Sequence, residues 1–283
     1  MKVAYLGPPG TFSEEAVRRS GLGGDTFEPL PCDSIPEAIE AVAKGRADRA
    51  MLPFENSIEG SVRPTMDSLL EQADSVTVIG EYRLSIREAL IAREDIELGS
   101  ITEVISHPQP LAQCARFIRE RLPGAAVTVA TSTSAAVQEV ADGGPGRAAI
   151  APASAAPIYG CVVLEEGIED EAGNQTRFLS IAPVGTSPDP AVEGSGTWKT
   201  TLVFSELGTD HPGALVEALV EFSDREINLV RIESRPQKRE LGRYLFFVDV
   251  EGRADDQTVS DALDGLRSKA GEVKVLGTYP AAA

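Results

Sequence analysis

The chain has little positive charge and few histidines, and each shortage excludes a class of function. Lys and Arg number 26 against 44 Asp and Glu, which gives a formal net charge of -18 across 283 residues. Nucleic-acid binding depends on clustered Lys and Arg that contact phosphates, and the sequence contains no such cluster. The two histidines, His107 and His211, both precede prolines and lie far apart. This pattern does not predict a metal site.

Paired cysteines and long apolar runs are also missing. Cys32, Cys114 and Cys161 show no C-x-x-C spacing, as expected of free thiols in a reducing compartment. The longest uncharged run, residues 148–164, is broken by prolines and a glycine, which excludes a membrane-spanning helix there. The first residues show none of the basic, apolar and small-residue regions of a signal peptide. We therefore expect a cytoplasmic protein that binds neither nucleic acid nor membrane.

The sequence does contain enough apolar residues for two domains with separate cores. Its hydrophobic fraction is 42%, an ordinary value for a globular protein of this length. Residues 184–197 contain Pro, Gly and Ser and few large apolar side chains, which predicts a linker. We therefore predict a larger domain at 1–183 and a smaller one at 198–283. Most of the negative charge lies in the larger domain, so an anionic ligand there would need a few local donors.

The larger domain contains a faint internal repeat. Residues 34–53 predict a helix capped by a hydroxyl, a turn at Gly45 and a buried strand, and residues 134–152 repeat this order with a turn at Gly146. Two such α/β units indicate two similar lobes. Ligands of α/β sheets bind beyond the carboxyl ends of strands. We therefore expect an α/β domain with a ligand cleft between its lobes.

The smaller domain has the pattern of a ferredoxin-like fold. Alternation of apolar residues predicts strands, and helical spacing predicts helices, in the order β-α-β-β-α-β. By itself this fold does not indicate a function. The predicted strands are 200–204, 228–233, 244–250 and 272–278, and the predicted helices are 212–222, with a proline in its first turn, and 258–269.

Four polar segments of the larger domain carry the functional information. They are residues 10–13 (GTFS), 53–60 (PFENSIEG), 106–114 (SHPQPLAQC) and 173–178 (GNQTRF). In order and approximate spacing they resemble the prephenate dehydratases, and the resemblance covers nearly the whole chain. It implies an α/β catalytic domain of two lobes, periplasmic-binding-protein-like (type II), followed by a ferredoxin-like βαββαβ ACT regulatory domain.

The resemblance also implies an activity, the decarboxylating dehydration of prephenate to phenylpyruvate in L-phenylalanine biosynthesis. Aromatisation of the ring drives this reaction, so the enzyme needs only to help the C4 hydroxyl to leave, without a cofactor or a metal. Thr176 would donate a hydrogen bond to that hydroxyl. Arg177 would hold a carboxylate, unless an extended backbone turns its side chain away from Thr176. The implied catalytic residues are Thr176, Arg177, Asn56, Ser106 and Gln113, and the expected substrate-binding residues are Thr11, Phe12, Ser13, Glu55, Ser57 and Phe178.

An ACT domain of this kind implies feedback regulation by L-phenylalanine bound between two paired copies. Amides at a helix start suit the carboxylate of an amino acid, and carbonyl oxygens of a nearby strand suit its ammonium group. Pairing implies a homo-oligomer, expected to be a tetramer built as a dimer of dimers. The expected effector-binding residues are Gly213, Ala214, Leu215, Asn228, Leu229, Glu233, Ser234 and Arg235.

Two alternatives to this reading remain open from the residues alone. Arogenate dehydratase performs the same loss of carbon dioxide and water on the transaminated substrate, and the motifs do not separate the two. A non-catalytic amino-acid sensor would share the lobed architecture. The Thr176, Arg177 and Phe178 triplet argues against a pure sensor.

Overall fold

Two β-sheets, of ten and five strands, organise the residues that the structure describes. The structure is a computed structural model that describes residues 1–22, 27–188, 194–207, 212–237 and 243–282. Within these ranges, no helix is long and apolar enough to cross a membrane.

The larger domain is built as two lobes that the chain enters in turn. The first lobe contains β1 (Lys2–Leu6), α1 (Phe12–Arg19), β2 (Glu28–Cys32), α2 (Ile35–Ala43), β3 (Arg49–Asn56), β4 (Gly60–Ser61), α3 (Arg63–Glu71) and β5 (Val76–Ser85). The second contains β6 (Ala89–Ala92), β7 (Glu103–Ser106), α4 (Pro108–Gln113), α5 (Ala115–Arg121), β8 (Ala126–Val129), α6 (Thr133–Asp142), β9 (Arg147–Ala151), α7 (Ala155–Ile158) and β10 (Val162–Glu166). The chain then returns to the first lobe as β11 (Gln175–Pro183).

The two lobes share one strand topology, which confirms the prediction of similar units. The order is β5-β11-β3-β1-β2 in the first lobe and β10-β6-β9-β7-β8 in the second. In both, the last three strands are parallel and the second strand is antiparallel to its neighbours. The repeat read from the sequence corresponds to α2 with β3 and to α6 with β9. Its second helix is capped by Ser132 and not by Ser134, as the Ala135 amide bonds to the Ser132 hydroxyl at 3.0 Å.

The smaller domain has the predicted ferredoxin-like fold. Its strands lie in the order β13-β14-β12-β15. The first helix begins at Ala214, two residues later than predicted, because Gly213 precedes it with a φ of 100°, a left-handed conformation outside the helix. The first strand begins at Gly194, inside the predicted linker. The elements are β12 (Gly194–Leu207), α8 (Ala214–Ser223), β13 (Leu229–Pro236), β14 (Tyr244–Glu251), α9 (Gln257–Arg267) and β15 (Ala270–Ala282).

One sheet runs through both domains. Strand β15 lies parallel to β5, with Gly277 opposite Val78. A Cβ atom at Gly277 would lie 2.1 Å from the Val78 carbonyl oxygen, so only glycine permits this approach. Tyr279 is fully buried in the same cluster as Leu179 of β11. The smaller domain is therefore packed directly against the strands that carry the 53–60 and 173–178 motifs.

Candidate active site

A cleft between the lobes brings most of the predicted site residues together. Its volume is about 350 Å³, which lies within the range of small-molecule pockets. It opens at the carboxyl end of β3, at the start of β11 and at the starts of three helices. The predicted residues that line it are Thr11, Phe12, Ser13, Asn56, Gln113, Thr176 and Phe178.

Thr176 is held in position by the Asn56 side chain. The Asn56 amide nitrogen donates to the Thr176 hydroxyl oxygen at 2.9 Å. The two residues are also opposite each other in the pairing of β3 with β11. Because the Thr176 oxygen accepts this bond, its own hydrogen remains available for a group bound in the cleft. Thr176 can therefore act as an oriented hydrogen-bond donor.

Asn174 links the two lobes through its side-chain amide. Its oxygen accepts from the Asn56 amide at 2.8 Å and from the Ser57 hydroxyl at 3.3 Å. Its nitrogen donates to the Gln113 side-chain oxygen at 3.3 Å. This fixes the orientation of Gln113, whose buried amide nitrogen has no hydrogen-bond partner among the described residues. Asn174 lies within the 173–178 motif, but its position in the sequence does not by itself indicate this role.

Two helix starts from opposite lobes face each other across the cleft. Thr11 caps α1, and Ser132 caps α6. Helix amino termini present free N–H groups and a partial positive charge, which suits carboxylates. Sequence reasoning missed the second of these, although the hydroxyl-rich segment 131–134 before an apolar helix was a signal for it. Among the described residues, the cleft lining includes no Lys or Arg.

Glu88 is a further cleft residue that sequence reasoning missed. It lies in the crossover between β5 and β6 and is 1% exposed. Burial raises its pKa to about 8, and the nearby charges of Glu169 and Glu15 add to this effect. Its only signal in the sequence is its position before the buried apolar strand β6.

Arg177 does not line the cleft, so the structure follows the alternative in which an extended backbone turns its side chain away from Thr176. Successive side chains of a strand point to opposite faces, so Thr176 and Phe178 face the cleft while Arg177 faces the smaller domain. Its Nη1 lies 2.6 Å from the Asp249 carboxylate, and its Nη2 donates to the Tyr279 hydroxyl at 2.7 Å. Its side chain therefore forms part of the contact between the domains.

The charges around Arg177 form a buried network. Its Nε lies 2.6 Å from a Glu81 oxygen, but the N–H bond is not aligned with that oxygen, so the contact is an ion pair. Glu81 also binds Lys199 at 2.8 Å. Burial alone would lower the pKa of Arg177, but Tyr279, Asp249 and Glu81 together raise it well above its usual value. The guanidinium is therefore permanently charged, and its contacts are with residues at the interface between the domains.

Three other predicted residues also lie outside the cleft. Ser106 is fully buried and donates to the Ile150 carbonyl at 2.6 Å, so it joins β7 to β9. Glu55 and Ser57 line a second cavity, of about 430 Å³, between the two domains. Glu55 lies outside the cleft because of the register between β3 and β11. In this register Glu55 pairs with Arg177, and the neighbouring residue of β3, Phe54, forms a bulge.

The predicted effector residues divide between two faces of the smaller domain. Arg235 pairs with Asp67 of the larger domain at 3.0 Å, and Glu233 accepts from Ser61 at 2.9 Å. Ser234, between them on β13, is exposed on the opposite face. The others lie at the start of α8 (Gly213, Ala214, Leu215) and at the start of β13 (Asn228, Leu229).

Fold and site together define a two-lobed α/β enzyme-like domain with a hydrogen-bonding cleft that lacks Lys and Arg among its described lining residues, joined to a ferredoxin-like domain. Comparison with known families agrees with this class. A model of the prephenate dehydratase family matches residues 3–185, and a model of the ACT domain matches residues 202–268. The chain belongs to the prephenate dehydratase family.

Individual relatives extend over almost the whole chain. A prephenate dehydratase of Mycobacterium sp. (strain JLS) is 41% identical and covers 99% of this chain and 89% of the relative. The crystal structure of prephenate dehydratase in complex with L-Phe from Arthrobacter aurescens has a TM-score of 0.88 at 38% identity, and covers 100% of this chain and 90% of the other. A structure named GqqA, a novel type of quorum quenching acylase, has a TM-score of 0.87 at 30% identity, with coverage of 100% and 98%.

Proposed function

We propose that this protein converts prephenate to phenylpyruvate, carbon dioxide and water. The observation that carries the proposal is the Thr176 hydroxyl, held by Asn56 at 2.9 Å with its hydrogen available to the cleft. A hydroxyl is too weak an acid to release a free proton near neutral pH. It can donate a hydrogen bond that strengthens as charge develops on the departing C4 oxygen.

The lining of the cleft suits a substrate with two carboxylates. The starts of α1 and α6, at Thr11 and Ser132, offer N–H groups to them without burying a cation. A ring carboxylate without a Lys or Arg partner is not stabilised in its charged form by a cation. Its electron pair can therefore enter the ring as carbon dioxide leaves. Arg177, which was expected to hold a carboxylate, plays no part in this contact because it faces Asp249.

The direct test is incubation of the purified protein with prephenate and detection of phenylpyruvate. Thr176→Ala is the diagnostic variant, and Thr176→Ser is the matched control because it keeps the hydroxyl. Formation of phenylpyruvate by the wild type and by Thr176→Ser, but not by Thr176→Ala, supports the proposal. An inactive wild type with an intact fold would contradict it, and amide hydrolysis by that protein would instead favour an acylase.

We propose that L-phenylalanine inhibits the enzyme from the smaller domain. The Arthrobacter aurescens relative was solved in complex with L-Phe, and the two proteins share this domain. Strand β11 offers a route for coupling, since Thr176 faces the cleft while its neighbour Arg177 contacts Asp249 and Tyr279. Inhibition would then act through coupling between separate sites.

We propose that the protein is a homo-oligomer assembled through its smaller domain. Strand β13 is an edge strand of the ten-stranded sheet, and Val230 and Ile232 on it are exposed. Val216 and Val220 on α8 are also exposed. An open edge beside apolar side chains favours pairing with a second copy. We expect a dimer of such pairs, and analytical ultracentrifugation would test this.

We also propose that the enzyme acts in the cytoplasm. Cys32, Cys114 and Cys161 are all free and buried. Burial raises the pKa of each thiol, and this keeps the cysteines in the unreactive protonated form. Free thiols in this number are typical of a reducing compartment. Fractionation of cells that express the protein would test the location.

A further inference from the structure

Glu88 is held by its backbone in the crossover between the lobes. Its amide donates to a Glu169 side-chain oxygen at 3.1 Å, and its carbonyl accepts from the amides of Gly167 and Ile168 at 2.8 and 3.2 Å. These contacts tie the crossover between β5 and β6 to the one between β10 and β11. The backbone of Glu88 is thus anchored on both sides, which limits where its side chain can point.

The carboxyl group of Glu88 is buried beside the cleft, and the described part of the chain offers it no hydrogen-bond partner. Its Oε2 atom is inaccessible to solvent and makes no hydrogen bond to any described residue. Unpartnered buried polar atoms are rare in folded proteins because each one costs free energy. The residue also lines the cleft that holds Thr176 and Gln113. A substrate bound in the cleft would therefore lie against Glu88, whose carboxyl group has no competing partner among the described residues.

The groups around Glu88 favour its neutral form. Burial raises the pKa of Glu88, and the charges of Glu169 and Glu15 raise it further. The cleft lining adds one exposed carboxylate, Asp33, and one imidazole, His107, and it includes no Lys or Arg within the described residues. A neutral carboxyl group can transfer its proton as well as donate a hydrogen bond, whereas Gln113 and Thr176 can only donate hydrogen bonds near neutral pH.

We propose that the Glu88 carboxyl group is the proton donor of the reaction, and this rests on the proposed prephenate dehydratase activity. The bond between C1 of the ring and its carboxylate breaks, carbon dioxide leaves, and that electron pair enters the ring. The bond between C4 and its hydroxyl breaks with its electron pair on oxygen, which takes the Glu88 proton and leaves as water. Glu88 is left as a carboxylate and regains a proton from solvent after product release.

The test is the pH dependence of full-length variants with prephenate as substrate. For the wild type we expect kcat/KM to be constant below about pH 7 and to fall about tenfold per pH unit above about pH 8, because the donor must be protonated. Glu88→Gln keeps the shape of the side chain but has no transferable proton. Its kcat should fall about a hundredfold, with KM within about threefold, and the alkaline decline should disappear. Glu88→Asp should recover part of kcat and keep an alkaline decline.

Glu169→Gln provides a second measurement that does not depend on the stability of Glu88→Gln. It removes a negative charge beside Glu88 while it keeps an acceptor for the Glu88 amide. The alkaline decline should move to lower pH, with kcat near pH 6 within about threefold of the wild type. His107→Asn tests the rival donor and should leave the alkaline decline in place.

Four outcomes would overturn the proposal. The first two concern Glu88→Gln: a kcat within about threefold of the wild type, or a kcat/KM that still falls at alkaline pH as in the wild type. The third is an alkaline decline of kcat/KM in Glu169→Gln at the same pH as in the wild type. The fourth is the absence of that decline in His107→Asn. A wild-type enzyme that makes no phenylpyruvate would instead refute the proposed function itself. An active wild type with any of the four results would refute only the role of Glu88.

Discussion

Replacement of Arg177 by methionine should destabilise the protein without removing a catalytic group. The guanidinium lies 2.6 Å from both the Asp249 and the Glu81 carboxylates, and both are fully buried. Removing one partner from a buried ion pair costs about 3–5 kcal/mol, because the other charge is left uncompensated. Lys199 and the Thr201 hydroxyl remain 2.8 and 2.7 Å from these carboxylates, so we expect a loss near the lower limit.

The assay is urea unfolding followed by the fluorescence of Trp198 on β12, the single tryptophan of the chain. A loss of about 3 kcal/mol should lower the midpoint by about 1 M or more. Arg83→Met is the matched control, since Arg83 is exposed directly opposite Arg177, and it should change stability by less than about 0.5 kcal/mol. The double variant Arg177→Met with Asp249→Leu should recover part of the lost stability, because it no longer contains the buried, unpaired Asp249 carboxylate.

The refuting result is specific. This structural role for Arg177 would be wrong if Arg177→Met had an unchanged urea midpoint and a kcat/KM reduced about a hundredfold or more. That result would show that Arg177 contacts the substrate. We expect instead that kcat/KM at low temperature stays within about tenfold, since Thr176 keeps its own bond to Asn56.

Four further predictions follow from the site and the smaller domain. Thr176→Ala should lower kcat about a hundredfold, about 3 kcal/mol, with little change in KM, and a folded variant that keeps more than about a third of wild-type kcat would show the assignment to be wrong. Prephenate should have a higher kcat/KM than arogenate, because Glu55, the one acidic residue of the matched motifs that the sequence placed to favour an ammonium group, faces the other domain, and a clear preference for arogenate would contradict this prediction. Asn228→Ala should weaken L-phenylalanine binding by calorimetry about tenfold or more and leave kcat without effector unchanged, whereas unchanged binding would exclude this residue from the effector site. The raised pKa of Glu88 means that the native state keeps a proton that the unfolded state releases, so the stability of the wild type should fall as pH rises from 4.5 to about 8. The difference between these two pKa values corresponds to at most roughly 5 kcal/mol of stability. If the urea midpoint of Glu88→Gln changed with pH in the same way as that of the wild type, this prediction would be wrong.

Local patterns in the sequence determined the elements and their order. The alternation and helical spacing after residue 198 were sufficient for the ferredoxin-like order, and the repeated helix and strand units at 34–53 and 134–152 were sufficient for two lobes. The motif residues Thr176, Asn56 and Gln113 also meet in one cleft as predicted. These inferences succeeded because helix and strand periodicity, caps and turns depend on neighbours in the chain.

Only the tertiary structure decided which face of each strand meets the cleft. The pairing of β3 with β11, including its bulge at Phe54, directs Asn56 toward the cleft and Glu55 toward Arg177. The partner of Arg177, Asp249, lies 72 residues further along the chain, and nothing near the 173–178 motif predicts it. The raised pKa of Glu88 shows the same limit, because it depends on burial between two crossovers and then on the charges of Glu169 and Glu15. Burial and charge at a site are sums over residues distant in sequence, so they exist only once the chain has folded.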